Sequence, residues 1–374
     1  MNLLNFLDEP LTLRDRVAHW IQGAIALQVQ TSLREIQDCP TTKAVQPSLE
    51  PIPSIREIPV NFVKKETGVF YVSAIAFRLA KQWQKSAAEI AQSLIESIVQ
   101  LHPANNSKAK VHSFAAVGQN FIPTANLQGW IFFEVTNQGL AQWLQDRICY
   151  VHEIDKFSSS EVNLEQNPQK PLRISTGSVG RGSNFTEPKN PTRNSTEMFE
   201  AQFLHARCCS ILRLGMQENL IQFDRTLLPN PQSNDLSQPL SHDLSQPLSQ
   251  PLSDPLISPC EFRITGPQPL PWLTEQGSLR LQHPAEKRLV SQLCTAWDQI
   301  AQADFELSPE QSWKLIRGTI PAFQCFYAEC PIFGEERRRE EAIAQIRLGL
   351  VALTRDLLHY LLEHPLYIIA PTEL

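Results

Sequence analysis

Prolines near the C-terminus of the sequence mark where helical segments begin and end. Proline donates no amide hydrogen bond, so a helix accepts it in the first turn but not farther along. Ser308 and Gln311 form a capping box at the start of the second segment, and Pro321 is expected to kink or split that segment. The boundary prolines are Pro284, Pro309, Pro331 and Pro365, and the segments are residues 284–303, 309–329 and 335–363. The sequence therefore predicts a succession of helices here.

Residues 1–150 combine helical patterns with strand patterns. Residues 11–37 have the apolar spacing of an amphipathic helix, and Ser86 followed by Glu89 predicts that a new helix begins there. Further helices are expected at residues 72–84, 87–101 and 139–148, and strands at residues 55–63, 111–117 and 129–135. The sequence therefore predicts an N-terminal helix and connector at residues 1–50 and an α+β domain at residues 51–150.

Two later segments lack a pattern that could bury a core. Residues 151–194 are rich in Ser, Asn, Pro and Gly and carry several cations, so a basic flexible linker is expected. A helix resumes at residues 196–214. Residues 236–256 repeat Leu-Ser-x-Pro, and the recurring prolines exclude a helix. We expect a disordered insertion at residues 229–259 within a helical domain at residues 195–374. The predicted fold class is an α+β N-terminal domain followed by an all-α bundle, predominantly helical overall.

Composition excludes several classes of site. The eight cysteines form no C-x-x-C pair and have no histidine at metal-ligand spacing, so neither a metal site nor a disulfide framework is expected. Free thiols, and the lack of a signal peptide or an apolar span, predict a cytoplasmic protein without a membrane partner. The glycine-rich segment from Gly177 to Gly182 lacks the lysine of a phosphate-binding loop, and no cofactor is expected.

Residues 69–144 resemble the N-terminal additional domain of arginyl-tRNA synthetases. The segment keeps Tyr71, Ala76 and Leu79-Ala-Lys81 of the family pattern, and Gly129-Trp-Ile-Phe-Phe133 corresponds to its Gly-Phe-Ile-Asn-Phe strand. The family's opening Gly-Asp falls on Val69-Phe70, and its strand asparagine is Phe132 here. The resemblance implies a domain that contacts the outer corner of tRNA.

Residues 199–213 resemble the helix that leads into the anticodon-binding domain of the same enzymes. They read Phe-Glu-Ala-Gln-Phe-Leu-His-Ala-Arg-Cys-Cys-Ser-Ile-Leu-Arg, against the family's Tyr-x-x-His/Tyr-Ala-Arg-x-x-Ser-Ile. Residues 283–286, 323–330, 347–348 and 370–371 match the remainder of that domain in order. This is the helical domain known as DALR, which in the family contacts the anticodon stem and loop.

The catalytic motifs of these synthetases do not occur in the sequence. Neither His-x-Gly-His nor Lys-Met-Ser-Lys-Ser is present, and the segment between the two resembling regions is too short for a doubly wound sheet. A non-catalytic synthetase-like protein that binds tRNA is therefore expected. Two alternatives stay open: a regulatory or assembly protein that uses these folds to bind another protein, and a split ligase subunit that needs a catalytic partner.

Charge and resemblance together give the candidate RNA-binding residues. Residues 60–150 hold eight Lys and Arg against five acids, a net of +3, whereas residues 260–374 hold eleven against fifteen, a net of −4. Because RNA affinity depends on phosphate neutralisation, the acidic helical domain favours weak binding or a changed partner. The candidates are Lys81, Lys85, Gln128, Trp130, Arg181, Arg193, His205, Arg207, Arg213, Tyr327, Arg347 and Arg355.

We predict that the purified protein catalyses no arginine-dependent ATP–pyrophosphate exchange, because the motifs that bind ATP and stabilise the transition state are absent from the sequence. The measurement is an exchange assay with an intact arginyl-tRNA synthetase as the positive control. Exchange above background that requires arginine would contradict the non-catalytic interpretation.

Overall fold

The computed structural model describes residues 12–38, 52–65, 68–101, 120–160, 191–223, 264–335 and 340–373. The strand predicted at residues 111–117, the glycine-rich segment and the Leu-Ser-x-Pro repeat lie outside the described residues. Within them no helix is long and apolar enough to cross a membrane.

A four-stranded antiparallel sheet with flanking helices forms the N-terminal unit, which we define as residues 12–160. Its elements are α1 (Leu13–Asp38), a 3-10 turn (Ile55–Glu57), β1 (Val60–Lys65), β2 (Gly68–Ser73), α2 (Ile75–Trp83), α3 (Ala87–Gln100), β3 (Phe121–Ala125), β4 (Ile131–Val135) and α4 (Asn137–Ser160). The strand order of the sheet is β1-β2-β4-β3. Helix α1 packs against α3 and β1, and α3 also contacts α2 and β3.

Alternating side chains on the two central strands explain how the sheet covers its core. Tyr71 on β2 is paired with Phe133 on β4, and both side chains are fully buried. Residues two apart on a strand share a face, so β2 and β4 each present one apolar row to the helices. Ser86 accepts a hydrogen bond from the Glu89 amide, which confirms the predicted start of α3.

Three predicted boundaries in the N-terminal unit were wrong. Residues 72–73 belong to β2 rather than to a helix, because the β-branched and aromatic run before them favours a strand. Residues 55–57 form a 3-10 turn capped by Ser54, and the strand begins only after Pro59. Helix α4 extends to Ser160, well beyond the end predicted at residue 148, and β3 was not predicted.

The C-terminal part is a helical domain built around one central helix. Its elements are α5 (Pro191–Gln217), β5 (Gln222–Phe223), β6 (Ile264–Gly266), α6 (Pro284–Gln302), α7 (Pro309–Glu329) and α8 (Glu341–Glu363). Helix α8 contacts α4, α5, α6 and α7, and its residues 346–362 are buried on every side. Gly349 permits this packing, since a Cβ atom there would lie 2.7 Å from side-chain atoms of Leu270 and Trp272.

Helix α7 continues through Pro321, so the segment is not split there, and the expected kink stays a prediction. Apolar side chains before and after the proline, including Ile316 and Phe323, are buried in the same core. That burial favours one continuous helix despite the missing amide hydrogen bond. The α+β unit followed by a predominantly helical domain confirms the predicted fold class. The domain boundaries stay a prediction.

The N-terminal unit packs directly on the helical domain. The Tyr71 hydroxyl donates a 2.6 Å hydrogen bond to the Asp298 carboxylate on α6, and both groups are buried. On α4, the Gln145 side-chain oxygen accepts from the Leu270 amide at 2.9 Å and from the Trp272 indole at 3.1 Å. These polar contacts cross the boundary between the two parts of the chain and fix how they meet.

We predict that Tyr71→Phe lowers the free energy of unfolding by about 1.5–3 kcal/mol, because it removes the donor that serves a buried carboxyl group. Urea unfolding followed by circular dichroism measures the change. Tyr367→Phe is the matched control: its side chain is 90% exposed, and the loss of its hydroxyl should change stability by less than about 0.5 kcal/mol. Equal stability of the two variants would contradict a structural role for the buried contact.

Candidate nucleic-acid interface

Helix α5 presents an exposed row of side chains along the face opposite its buried side. Phe199, Phe203, Arg207 and Leu214 are spaced four or seven residues apart and are all exposed. That spacing keeps them on one side of the helix. The Phe199 and Phe203 rings stack with centroids 6.2 Å apart and an interplanar angle of 27°. We call these four residues the α5 row.

A cation–aromatic contact joins the α5 row to helix α7. The Arg207 guanidinium carbon lies 4.9 Å from the centroid of the Tyr327 ring, and the guanidinium also reaches the Tyr327 hydroxyl at 3.4 Å. Tyr327 stacks in turn on the buried Phe323, with ring planes 7° apart. The packed ring of Phe323 therefore holds Tyr327 where a planar cation can lie over its face.

Helix α5 also holds the C-terminal segment, residues 366–373. The Gln202 amide donates to the Ile369 carbonyl at 2.9 Å, and Arg213 donates to the Thr372 carbonyl at 3.1 Å. His205 Nδ1 lies 2.8 Å from the Pro371 carbonyl, and this nitrogen must carry a proton because a carbonyl can only accept. Burial lowers the pKa of His205 to about 4, so the ring is neutral at pH 7.

Arg347 and Arg355, two of the candidate RNA-binding residues, lie largely buried inside the helical domain. Arg347 donates to the buried Glu286 carboxylate at 2.8 Å and to the Pro331 carbonyl at 2.5 Å. Arg355 pairs with Asp356 and is 7% exposed. Both arginines lie on α8, which is surrounded by other helices, so their charges are used within the protein. His205 is buried in the same way.

Exposed aromatic side chains were missed by the sequence reasoning. Phe199 is 59% exposed and Phe203 is 47% exposed, although the helix was correctly predicted. The signal was present in the sequence, because these residues and Arg207 fall outside the apolar positions 201, 204, 208 and 211. Ile369, 75% exposed, adds an apolar side chain on the C-terminal segment that Gln202 holds.

A second exposed group lies on the N-terminal unit, around the turn between β3 and β4. Phe77 on α2 meets Trp130 edge to face, with ring centroids 5.2 Å apart, and both are partly exposed. Lys81 follows Phe77 by one helical turn and is exposed, as are Lys85 and Gln128. We call Phe77, Lys81, Gln128 and Trp130 the β-turn group.

The turn that carries Gln128 and Trp130 has a defined backbone. The Asn126 side-chain oxygen accepts from the amides of both residues, at 3.1 and 2.9 Å. Gly129 has a φ of +98°, and a Cβ atom there would lie 2.6–2.8 Å from atoms of Ala87. Only glycine combines that dihedral angle with so close an approach to α3. The local sequence therefore presents both side chains at a fixed position.

The remaining candidates cannot be assigned to either surface. Arg181 lies outside the described residues, and Arg193 belongs to the first turn of α5, where only the backbone is described.

The part of the chain that the structure describes contains no group of three His, Cys, Asp or Glu side chains placed to hold a metal ion. The six cysteines among those residues are free thiols.

Part of the helical domain is similar to a known protein family. Residues 271–369 match the DALR anticodon binding domain. The matched range runs from the segment before α6 into the C-terminal segment and includes Tyr327, Arg347 and Arg355. The helical C-terminal part of the arginyl-tRNA synthetase resemblance is supported by this match. Helix α5, with the α5 row, precedes the range matched to the DALR domain.

No curated protein and no solved structure matches the chain significantly. The resemblance of residues 69–144 to the additional domain therefore stays a prediction.

We predict that Arg347→Ala lowers the free energy of unfolding by about 3–5 kcal/mol, because it leaves the Glu286 carboxylate buried without its cation. The matched control is Arg207→Ala, which removes an exposed arginine and should cost less than about 1 kcal/mol. Chemical unfolding of both variants measures the difference. If the two substitutions cost the same, the buried ion pair does not stabilise the domain.

Proposed function

We propose that this chain is a non-catalytic tRNA-binding protein. In this proposal the anticodon stem and loop lie against the helical domain, and the outer corner of the tRNA lies against the N-terminal unit. The observation that carries the proposal is the match of residues 271–369 to the DALR anticodon binding domain, together with exposed aromatic side chains beside an arginine.

The α5 row has the chemistry that unpaired RNA bases require. Bases splayed out of a loop stack on aromatic rings and on guanidinium planes, and both occur here within two helical turns. Phe203 and Arg207 are one turn apart, and Tyr327 extends the row onto α7. We propose that one or more loop bases stack on Phe199 and Phe203, while Arg207 contacts a base edge or a phosphate.

The β-turn group supports the second contact. It combines the exposed Trp130 with Lys81 and Gln128, so it offers a stacking surface, a cation and a hydrogen-bonding amide together. Residues 60–150 also carry a net charge of +3, which favours contact with phosphates. In the proposal, base stacking contributes most of the affinity for tRNA on the helical domain, whereas charge contributes most of it on the N-terminal unit.

The non-catalytic part of the proposal rests on the sequence. The two catalytic motifs of arginyl-tRNA synthetases, His-x-Gly-His and Lys-Met-Ser-Lys-Ser, are absent from the sequence. The N-terminal unit also packs directly against the helical domain, through Tyr71 and Asp298. A split ligase would require a second chain to supply the whole catalytic domain. The alternative is tested by adding candidate catalytic chains to the exchange assay described above.

A second candidate function, binding of another protein, is favoured by the charge of the helical domain. Residues 260–374 have a net charge of −4, and Arg347 and Arg355 are engaged inside the protein. The nine other Lys and Arg side chains of this range are outnumbered by its fifteen acids, which disfavours contact with phosphates. Under this alternative, the α5 row would contact an apolar surface of a protein partner instead of bases.

We predict that Phe203→Ala weakens tRNA binding by about 1–3 kcal/mol, the usual contribution of one base–aromatic stack. Arg207→Gln should weaken binding as well and should reduce its salt dependence if Arg207 contacts a phosphate. The matched control is Arg288→Gln, which removes an exposed arginine of α6 with the same change of charge. Fluorescence anisotropy with labelled tRNA, at two or more salt concentrations, gives the dissociation constants.

Two results would contradict this assignment. If Arg207→Gln and Arg288→Gln weakened tRNA binding equally, the binding would depend on the net charge of the domain and not on a specific contact of Arg207. No detectable binding of tRNA by the folded wild-type protein at low salt would favour the protein-binding alternative. Thermal unfolding of each variant is measured alongside, so that a loss of binding is not confused with a loss of fold.

A further inference from the structure

One carboxyl group is buried at the contact between the N-terminal unit and the helical domain. Asp298 lies on α6 and is 3% exposed. It accepts a 2.6 Å hydrogen bond from the Tyr71 hydroxyl on β2 and a 3.4 Å hydrogen bond from the Arg14 amide at the start of α1. Two separate elements of the N-terminal unit therefore meet the helical domain at the same carboxyl group.

The groups around Asp298 compensate a negative charge only in part. Among the described residues Asp298 forms no ion pair, and the Arg14 guanidinium is paired with Asp15 at 2.9 Å. Asp15 itself acts on Asp298 as a second negative charge, and Cys294 lies nearby on α6. Arg147 on α4 is the buried cation of this region and attracts the Asp298 carboxylate, but it forms no ion pair with it: its guanidinium lies over the Trp297 ring at 3.8 Å and also faces Asp356 on α8.

Burial favours the neutral form of this carboxyl group. Desolvation raises the pKa of Asp298 from 3.8 to about 7, and the hydrogen bonds from Tyr71 and Arg14 offset only part of that rise. Burial also raises the pKa of Tyr71 well above its usual value, so the hydroxyl remains a donor throughout this range. The protonation state of the contact therefore depends on Asp298.

We propose that docking of the N-terminal unit onto α6 takes up a proton at Asp298, so that the contact between the two parts loosens as the pH rises from acidic to neutral. This inference does not rest on the proposed function, because it concerns only how the two parts of the chain hold together. It gives the protein a pH-dependent equilibrium between a docked form and an undocked form.

The direction in which pH changes the docking equilibrium follows from proton linkage. When the parts separate, Asp298 becomes exposed and its pKa returns to about 3.8, so the docked form binds more protons between that value and about 7. The equilibrium constant for undocking therefore rises between about pH 3.8 and pH 7, by up to about tenfold per pH unit. Above about pH 7 it no longer changes with pH. Between pH 6 and pH 8 the linkage gives an increase of about tenfold.

Hydrogen–deuterium exchange of the full chain, read by mass spectrometry, tests the proposal. Labelling times are scaled at pH 6 and pH 8 so that the intrinsic exchange rate is matched. Peptides that contain Arg14 and Tyr71 report on the contact, and a peptide from residues 350–358 of α8 reports on global unfolding. We expect the contact peptides to lose about tenfold in protection at pH 8, with a smaller change in the α8 peptide.

Two variants decide whether Asp298 is responsible. Asp298→Asn keeps the size and an acceptor oxygen but cannot ionise, so the protection of its contact peptides should not depend on pH. Tyr71→Phe removes a donor that stabilises the ionised carboxylate, so the pH dependence should persist with its midpoint shifted to higher pH. The second variant gives a result even if the first does not fold.

The outcomes are distinct. Contact peptides that respond to pH equally in the wild-type protein and in Asp298→Asn would overturn the proposal, because another group would then be titrating. Equal protection of the wild-type peptides at both pH values would also overturn it, as would an unchanged or lowered midpoint in Tyr71→Phe. Loss of pH dependence in the first variant, or the upward shift in the second, supports it.

Discussion

Helix α8 is enclosed by other helices, and the rest of the helical domain is arranged around that constraint. A helix buried on all sides cannot leave its charged side chains to water, so its arginines pair with carboxylates within the protein. Arg347 meets Glu286 of α6, and Arg355 meets Asp356 one residue along α8. The same enclosure explains why arginines that resemble RNA-contacting residues in sequence have structural positions here.

The N-terminal unit is held against this domain by polar contacts that cross a largely apolar boundary. The Gln145 side-chain oxygen accepts hydrogen bonds from two donors, and the Asp298 carboxyl group accepts hydrogen bonds from donors on two elements. Contacts of this kind depend on direction and specify one relative position better than apolar packing does alone. The distance between the α5 row and the β-turn group is therefore set by how the two parts dock.

Much of the fold was predictable because its signals are local. The capping boxes at Ser86 and Ser308 and the helix-ending positions of Pro331 and Pro365 depend only on neighbouring residues. Strand β2 was misread because Val72 and Ile75 also satisfy helical spacing, and only its pairing with β1 and β4 decides the matter.

The candidate surface was less predictable, because it depends on which side chains remain uncovered. Arg207 and Arg347 are equivalent in sequence terms, yet one is exposed and the other is paired with a residue 61 positions away. No local pattern distinguishes them. Phe203 could have been identified from its place outside the buried stripe of α5, since that stripe was correctly located.

The buried side of α5 has a consequence for how the chain folds. His205 and Arg213 bind carbonyl groups that are 166 and 159 positions farther along, and the cysteines of the same helix are covered by α8. Contacts over such separations form late, after the intervening chain has been made and brought together. Until then α5 carries both an aromatic row and an uncovered apolar side, and apolar surface exposed in this way during folding promotes aggregation.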